Sequence, residues 1–391
     1  MREGIFTQAC CWWNPLVISE FVSPYPIYYL PKLMEEKGWK VEILTLPYPL
    51  QEELREIAKR RGGGGYPEKK RERVGNITVL RFSGGRIASL QRMLLHLSTS
   101  SPTIFQLHSW GILEDLSLSM LCRTKRLPVV HCHHAASLPD ILQHGKTKAT
   151  LFRRLFKTLD ALGVVFVALT EVQADLYRKM GMEHVVIIPH GMDSKIFEVE
   201  RKKELVEKYL GEFNILHAGF FEPRKGQEIL IRSMPSILRE FPGTHLILVG
   251  KNLESPYRSY LEELVRKLGL KGHVHFIRAS REELIQLYLH SDLFAFPTTG
   301  EIFGHVYLEA MASGCPIITT DKPVAREILQ EGSAGVLVER SVEAFTRGIL
   351  ELLSDEDRRK KLSLEGKRIV REKFELKKIL RKWYELYQAL L

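Results

Sequence analysis

At 391 residues the chain is too long for one compact hydrophobic core, and two domains are the natural count. Hydrophobic residues make up 45% and charged residues 27%, the balance of a soluble globular protein, and a formal charge of +10 favours anionic partners without choosing among phosphates, nucleic acid and acidic lipid. Five cysteines with no C-x-x-C pair argue against a disulfide framework or a structural zinc site, and no apolar run approaches the ~18–20 residues that span a bilayer. The cysteines read as reduced, and with no apolar run of signal length at Met1–Phe6 the expected compartment is the cytoplasm.

Strand and helix patterns alternate through the first half. Gly4 to Thr7 is a weak first strand, Tyr25 to Lys37 a helix stopped by Gly38, and Lys40 to Leu46 a strand. Further strands are expected at Ile77–Phe82, Thr103–Leu107, Val129–His133, Val164–Thr170 and Val185–Pro189. The stretch Arg60 to Arg73, with Gly62 to Gly65 and many charges, reads as a solvated surface loop. Lys146 to Leu159 is a basic amphipathic helix with the apolar stripe Leu151, Phe152, Leu155 and Phe156. Such a helix suits either a core with a solvated basic face or contact with the inner face of a membrane; the core reading is preferred.

The alternation then restarts. Strands are expected at Phe213–Ala218, His245–Gly250, Val274–Arg278, Leu293–Pro297, Pro316–Thr320 and Gly335–Val338. Helices fall between them at Gln227–Glu240, Ser259–Leu268, Arg281–His290, Phe303–Ser313 and Ala325–Gln330, and everything after Glu343 is helical. This is the pattern of two doubly wound parallel sheets, an α/β fold of two Rossmann-like domains. The expected division is residues 1–205, 206–370 and a last segment, 371–391, that crosses back to the first domain.

The segment Glu301-Ile-Phe-Gly304-His-Val-Tyr-Leu-Glu309 follows a strand and opens a helix. Open parallel sheets bind ligands at the carboxyl ends of their strands, and a helix N-terminus offers free N–H groups and a positive dipole end to a diphosphate. Gly304 lets the backbone approach closely. Carboxylates accept sugar hydroxyls well, so Glu301 and Glu309 suit a sugar and a ribose. The other strand-end loop, Gly219-Phe-Phe-Glu-Pro-Arg224-Lys225-Gly226, ends in a basic pair suited to phosphate.

With its continuation Ala-Met-Ala-Ser-Gly314-Cys-Pro316, the segment from Glu301 resembles the E-x7-E motif of retaining GT-B glycosyltransferases of family 4. The resemblance implies that Glu301 contacts the donor sugar, that the backbone from Ile302 through Phe303 and Gly304 binds the diphosphate, and that Glu309 holds the ribose. It gives Lys225 the leaving diphosphate. The family arginine is replaced by Phe220, and Arg224 stands nearby as a second cation. Arg278 and Ala279 occupy the loop expected to meet the base, with Arg278 where the family has glycine, so base identity does not transfer. Asp292 reads as a strand-entry cap. In the first half, the histidine that touches the sugar in the family corresponds to His134 or His133. His108-Ser109-Trp110 resembles an acceptor-side segment, and the family's Gly-Gly pair after the first strand is missing around Trp12 and Trp13.

The implied activity is retaining transfer of a sugar from a UDP-, GDP- or ADP-sugar to a hydroxyl acceptor: a sugar, sugar phosphate, polyol or lipid-linked sugar. No prosthetic group or metal is implied, and no nucleic-acid module is visible. The domains are expected to face each other across a cleft that closes on the substrates. A phosphorylase, a synthase or a nucleotide-sugar epimerase on the same fold remains an alternative, as does a non-catalytic basic binding protein.

Overall fold

A computed structural model describes residues 5–10, 26–45, 71–82, 85–108, 112–132, 146–250 and 255–391. The chain divides into two compact units. The first runs to Ile188 and regains the chain at Leu380–Leu391; the second takes in Pro189–Ile379.

The first unit contains β1 (Ile5–Cys10), α1 (Pro26–Glu36), β2 (Lys40–Thr45), β3 (Arg71–Val74), β4 (Ile77–Arg81) and α2 (Gly85–Thr99). It continues with β5 (Ile104–His108), α3 (Ile112–Thr124), β6 (Val129–Cys132), α4 (Lys146–Ala161), β7 (Val165–Ala168), α5 (Glu171–Lys179) and β8 (Val185–Ile187). Among the described residues the strands form one sheet in the order β3-β4-β2-β1-β5-β6-β7-β8. Every neighbouring pair is parallel except β3 and β4, which pair antiparallel. Strands β5 and β6 are buried throughout, as strands covered on both faces must be.

Strand β3 corrects the reading of Arg60 to Arg73 as loop. Arg71–Val74 forms a hairpin with β4 about Gly75, whose φ of +59° favours glycine. Its charges mark an edge strand, where they discourage pairing with other chains, and so mimic a loop in the sequence. Residues 60–70 lie outside the described residues.

The basic helix α4 is a core element. Leu155, Phe156 and Leu159 are buried in the first unit's core, while Leu151, expected in the stripe, is 54% exposed. No helix among the described residues is long and apolar enough to cross a membrane. Cys122, Cys132 and Cys315 are free and buried.

The second unit contains β9 (Phe213–Ala218), α6 (Gln227–Glu240), β10 (Thr244–Val249), α7 (Pro256–Lys267), β11 (Val274–Ile277), α8 (Arg281–His290) and β12 (Leu293–Phe296). It continues with α9 (His305–Ser313), β13 (Ile317–Thr320), α10 (Pro323–Ile328), β14 (Gly335–Val338), α11 (Val342–Ser354) and α12 (Glu356–Ile369). Its sheet is parallel, in the order β11-β10-β9-β12-β13-β14. From β9 the chain first builds outward to β11, then returns to the other side of β9 for β12. The order therefore reverses between β9 and β12, and their carboxyl ends flank the crevice where such sheets bind ligands.

This unit begins at Pro189, earlier than the charged stretch around 206 suggests. The residues between are anchored to it: Phe197 packs edge-on against Tyr288 with centroids 5.9 Å apart, and the Lys202 N–H donates to the Gln286 side chain at 2.8 Å. Asp292 accepts the Asn214 N–H at 2.8 Å, the strand-entry role expected of it.

The last helix, α13 (Leu376–Leu390), starts in the second unit, and its residues from Leu380 belong to the first. There Trp383 and Tyr387 are buried, and Tyr387 donates to the Gln106 side chain at 3.1 Å inside β5. That bond satisfies a polar group that an apolar core would otherwise strand.

Candidate functional site

The loop after β9 climbs from Gly219 to a single 3-10 turn, Pro223–Lys225, and ends at Gly226, which opens α6 with a φ of +76°. A Cβ on Gly226 would collide with the Pro297 carbonyl oxygen, so only glycine lets this loop pass so close to the loop after β12. The two loops are then joined by an ion cluster. Lys225 Nζ lies 2.5 Å from Glu301 Oε1, and Arg224 Nη1 lies 3.5 Å from the same oxygen. Thr298 donates its hydroxyl to that oxygen at 3.0 Å, and Glu222 accepts from Arg224 Nε at 2.7 Å.

The side chain of Lys225 is only 10% exposed and its Nζ sits 4.9 Å above the Phe296 ring. Burial lowers its pKa; the Glu301 carboxylate opposes that shift. Behind it, His217 on β9 is fully buried and contacts the Lys225 carbonyl through Nε2 at 3.2 Å. Burial pushes His217 down to about 3, so near neutrality the ring is uncharged and Nε2–H donates to that carbonyl.

Glu301 leads into Ile302, Phe303 and Gly304. The helix starts at His305, two residues later than Phe303, because Gly304 takes a φ of +80° and serves as the N-cap. No side chain caps this end, and the Tyr307 N–H turns back to the Gly304 carbonyl at 3.0 Å. A Cβ on Gly304 would lie 3.5 Å from Glu301 Cγ, which fixes the ion cluster beside the helix N-terminus. Phe303 is buried and packs edge-on against His190 with centroids 4.9 Å apart; His190 and His305 are 4.2 Å apart. Burial holds His305 at about 3, so this cluster beneath the turn carries no charge from His305 at neutral pH.

Glu309 lies one helical turn on, 7% exposed, and accepts the Tyr288 hydroxyl at 2.9 Å. Gly219 stands next to the cluster: a Cβ there would lie 3.8 Å from Lys225 Cδ.

The structure thus brings Gly219, Arg224, Lys225, Glu301, Ile302, Phe303 and Gly304 into one place, with Glu309 further along α9. Arg278 and Ala279 follow β11, two strands from β9, and among the described residues no hydrogen bond or ion pair links Arg278 to the cluster. Phe220, at the family arginine's position, is 48% exposed. His133, His134, Trp12, Trp13, Ser109 and Trp110 lie outside the described residues; His108 is buried at the end of β5. Thr298, Tyr288, His190, His217 and Arg340 escape the sequence reading. Only Thr298, three residues before Glu301, carried a signal: a hydroxyl at a strand end beside a candidate carboxylate. Among the described residues no group of three or more His, Cys, Asp or Glu is set to hold a metal ion.

A helix N-terminus without a side-chain cap next to two cations has the chemistry to take an anion, and a carboxylate within it can accept hydroxyls; here both cations are paired with Glu301, and Arg224 also with Glu222. Residues 198–369 match the family described as Glycosyl transferases group 1, and residues 27–195 match Glycosyltransferase Family 4. The chain is similar to a GDP-mannose-dependent alpha-(1-6)-phosphatidylinositol monomannoside mannosyltransferase of Mycolicibacterium smegmatis, with 33% identity over 48% of this chain and 50% of that protein. The chain spans about half the length of the curated relatives it matches first. Its fold is similar to a sucrose-phosphate synthase from Thermosynechococcus elongatus, with a TM-score of 0.78 and 18% identity over 100% of this chain and 99% of that one. It is also similar to the Anabaena protein HepE in complex with UDP and glucose, with a TM-score of 0.74 and 15% identity over 99% and 100%.

Proposed function

The chain belongs to the GT-B glycosyltransferases of family 4, and on that premise we propose that it transfers a sugar from a nucleotide-diphospho-sugar to a hydroxyl acceptor, with retention at the anomeric carbon and without a metal ion. The observation that carries this reading is the Lys225–Glu301–Arg224 cluster beside the uncapped start of α9 at the sheet's switch point.

The donor diphosphate takes the α9 N-terminus, and Lys225 exchanges Glu301 for a phosphate oxygen. Glu301, released from Lys225, accepts hydroxyls of the transferred sugar. As the glycosidic bond breaks, charge grows on the leaving diphosphate; Lys225, Arg224 and the first N–H groups of α9 stabilise it in place. These cations do the work a divalent ion does elsewhere. Glu309 holds the ribose, the Arg278–Ala279 link lies on the base side, and His134 or His133 orients the sugar. The acceptor is a sugar, sugar phosphate, polyol or lipid-linked sugar, and the mycobacterial relative makes GDP-mannose the first donor to try.

The test is nucleotide release from GDP-mannose, UDP-glucose and ADP-glucose, with and without EDTA, for the native chain and for Lys225→Met. Turnover of one donor, unaffected by EDTA and reduced about a hundredfold in the variant, is the expected result. Failure of all three donors to bind or turn over removes the reading.

A further inference from the structure

Arg340 follows β14, far in sequence from both loops of the site. Its Nε donates to the Pro297 carbonyl at 2.8 Å and its Nη2 to the Pro223 carbonyl at 2.9 Å. Pro297 opens the loop that carries Glu301, and Pro223 opens the turn that carries Arg224 and Lys225. One planar guanidinium thus holds the two loops at a fixed separation. We propose that Arg340 is a positioning residue that sets the Lys225–Glu301 geometry and so the grip on the donor diphosphate.

The surrounding bonds support this. Three consecutive carbonyls of the 3-10 turn each accept a hydrogen bond: Pro223 from Arg340, Arg224 from the Thr299 N–H at 2.9 Å, and Lys225 from His217 at 3.2 Å. With its carbonyls held, the turn is restrained in the orientation in which the Lys225 side chain meets Glu301. Of the three donors, only Arg340 belongs to neither loop nor to β9, and it alone uses a charged group with fixed fork geometry. Lysine, with one compact ammonium, can serve one of these carbonyls well but not both in this geometry.

The proposal rests on the glycosyl-transfer reading for its kinetic consequence but not for its structural one, so both are measured in the native chain, Arg340→Lys and Arg340→Met. The first measurement is GDP-mannose and UDP-glucose turnover. The second is the pH midpoint for labelling of Lys225 by a small amine reagent, read by peptide mass. Arg340→Met is expected to lower kcat by about ten- to a hundredfold with a smaller change in KM, as misplacement of a charge-stabilising group does. Its Lys225 midpoint should move up toward the ordinary value of 10.5 as the side chain leaves its buried seat. Arg340→Lys should fall between. A native midpoint in both variants overturns the proposal, as does native kcat when a donor is turned over. If the native chain turns over neither donor while the midpoint still moves, the functional reading is in question and the positioning role stands. Should Arg340→Met fail to fold, Arg340→Lys decides through the same two readouts.

Discussion

Lys225 is the residue on which the site's electrostatics turn. Its pKa is lowered chiefly by burial, so its charge is lost at a lower pH than that of an exposed lysine with a value near 10.5. If the protonated form grips the diphosphate, kcat/KM for the donor should decline on the alkaline side below 10.5, because that profile reports the free enzyme. A profile flat to pH 10.5 in the native chain would separate Lys225 from donor binding. Glu309 offers a second test. It is nearly buried and accepts from the buried Tyr288 hydroxyl, so Glu309→Ala should destabilise the fold by about 1–3 kcal/mol, whereas Glu309→Gln keeps an acceptor and should cost much less. Both should weaken nucleotide-sugar binding if Glu309 holds the ribose. Calorimetric titration with GDP-mannose, beside urea unfolding, distinguishes lost affinity from lost stability.

At the scale of elements, the site is two strand-end loops and one helix start. Gly304 decides where α9 begins. Its φ is +80°, and an added Cβ would lie 2.7 Å from the Tyr307 ring. Gly304→Ala should therefore cost about 1–3 kcal/mol of stability through backbone strain and shift the first N–H groups of the helix. Donor affinity should fall with it; an unchanged affinity with reduced stability would take the α9 N-terminus out of the site. The order of these elements was legible in the sequence because the second unit's strands are short apolar runs that alternate with amphipathic helical stretches, three of them closed by Gly219, Gly250 and Pro297. Gln227–Glu240, Arg281–His290 and Gly335–Val338 are found where the pattern put them. Strand β3 was not legible, since an edge strand's charges resemble those of a loop.

For the whole molecule, acid should be the sensitive direction. His217 and His305 are buried in the second unit and held near 3, against 6.5 for a free imidazole. The unfolded chain therefore binds more protons than the folded one between pH 6.5 and about 3. Stability falls as pH drops through that window, by up to about 1.4 kcal/mol per pH unit for each histidine. His217→Gln should flatten the acid limb of the urea midpoint, and an identical slope in the variant would contradict the assignment. In the first unit, Trp383→Ala should cost about 3–5 kcal/mol, because it empties a fully buried site.

By itself the sequence determined the α/β class, the two sheets and the motif residues from Glu301 to Glu309, because hydrophobic periodicity and local turn chemistry are written in contiguous residues. Only the tertiary structure decided which partners those residues meet. Glu301 meets Lys225 across 76 positions and Arg340 reaches Pro223 across 117, and no local pattern records contacts of that span. They arise because the strand order reverses between β9 and β12, which brings two distant strand ends side by side. The same reversal turns a run of ordinary loop residues into one charged, half-sheltered cluster.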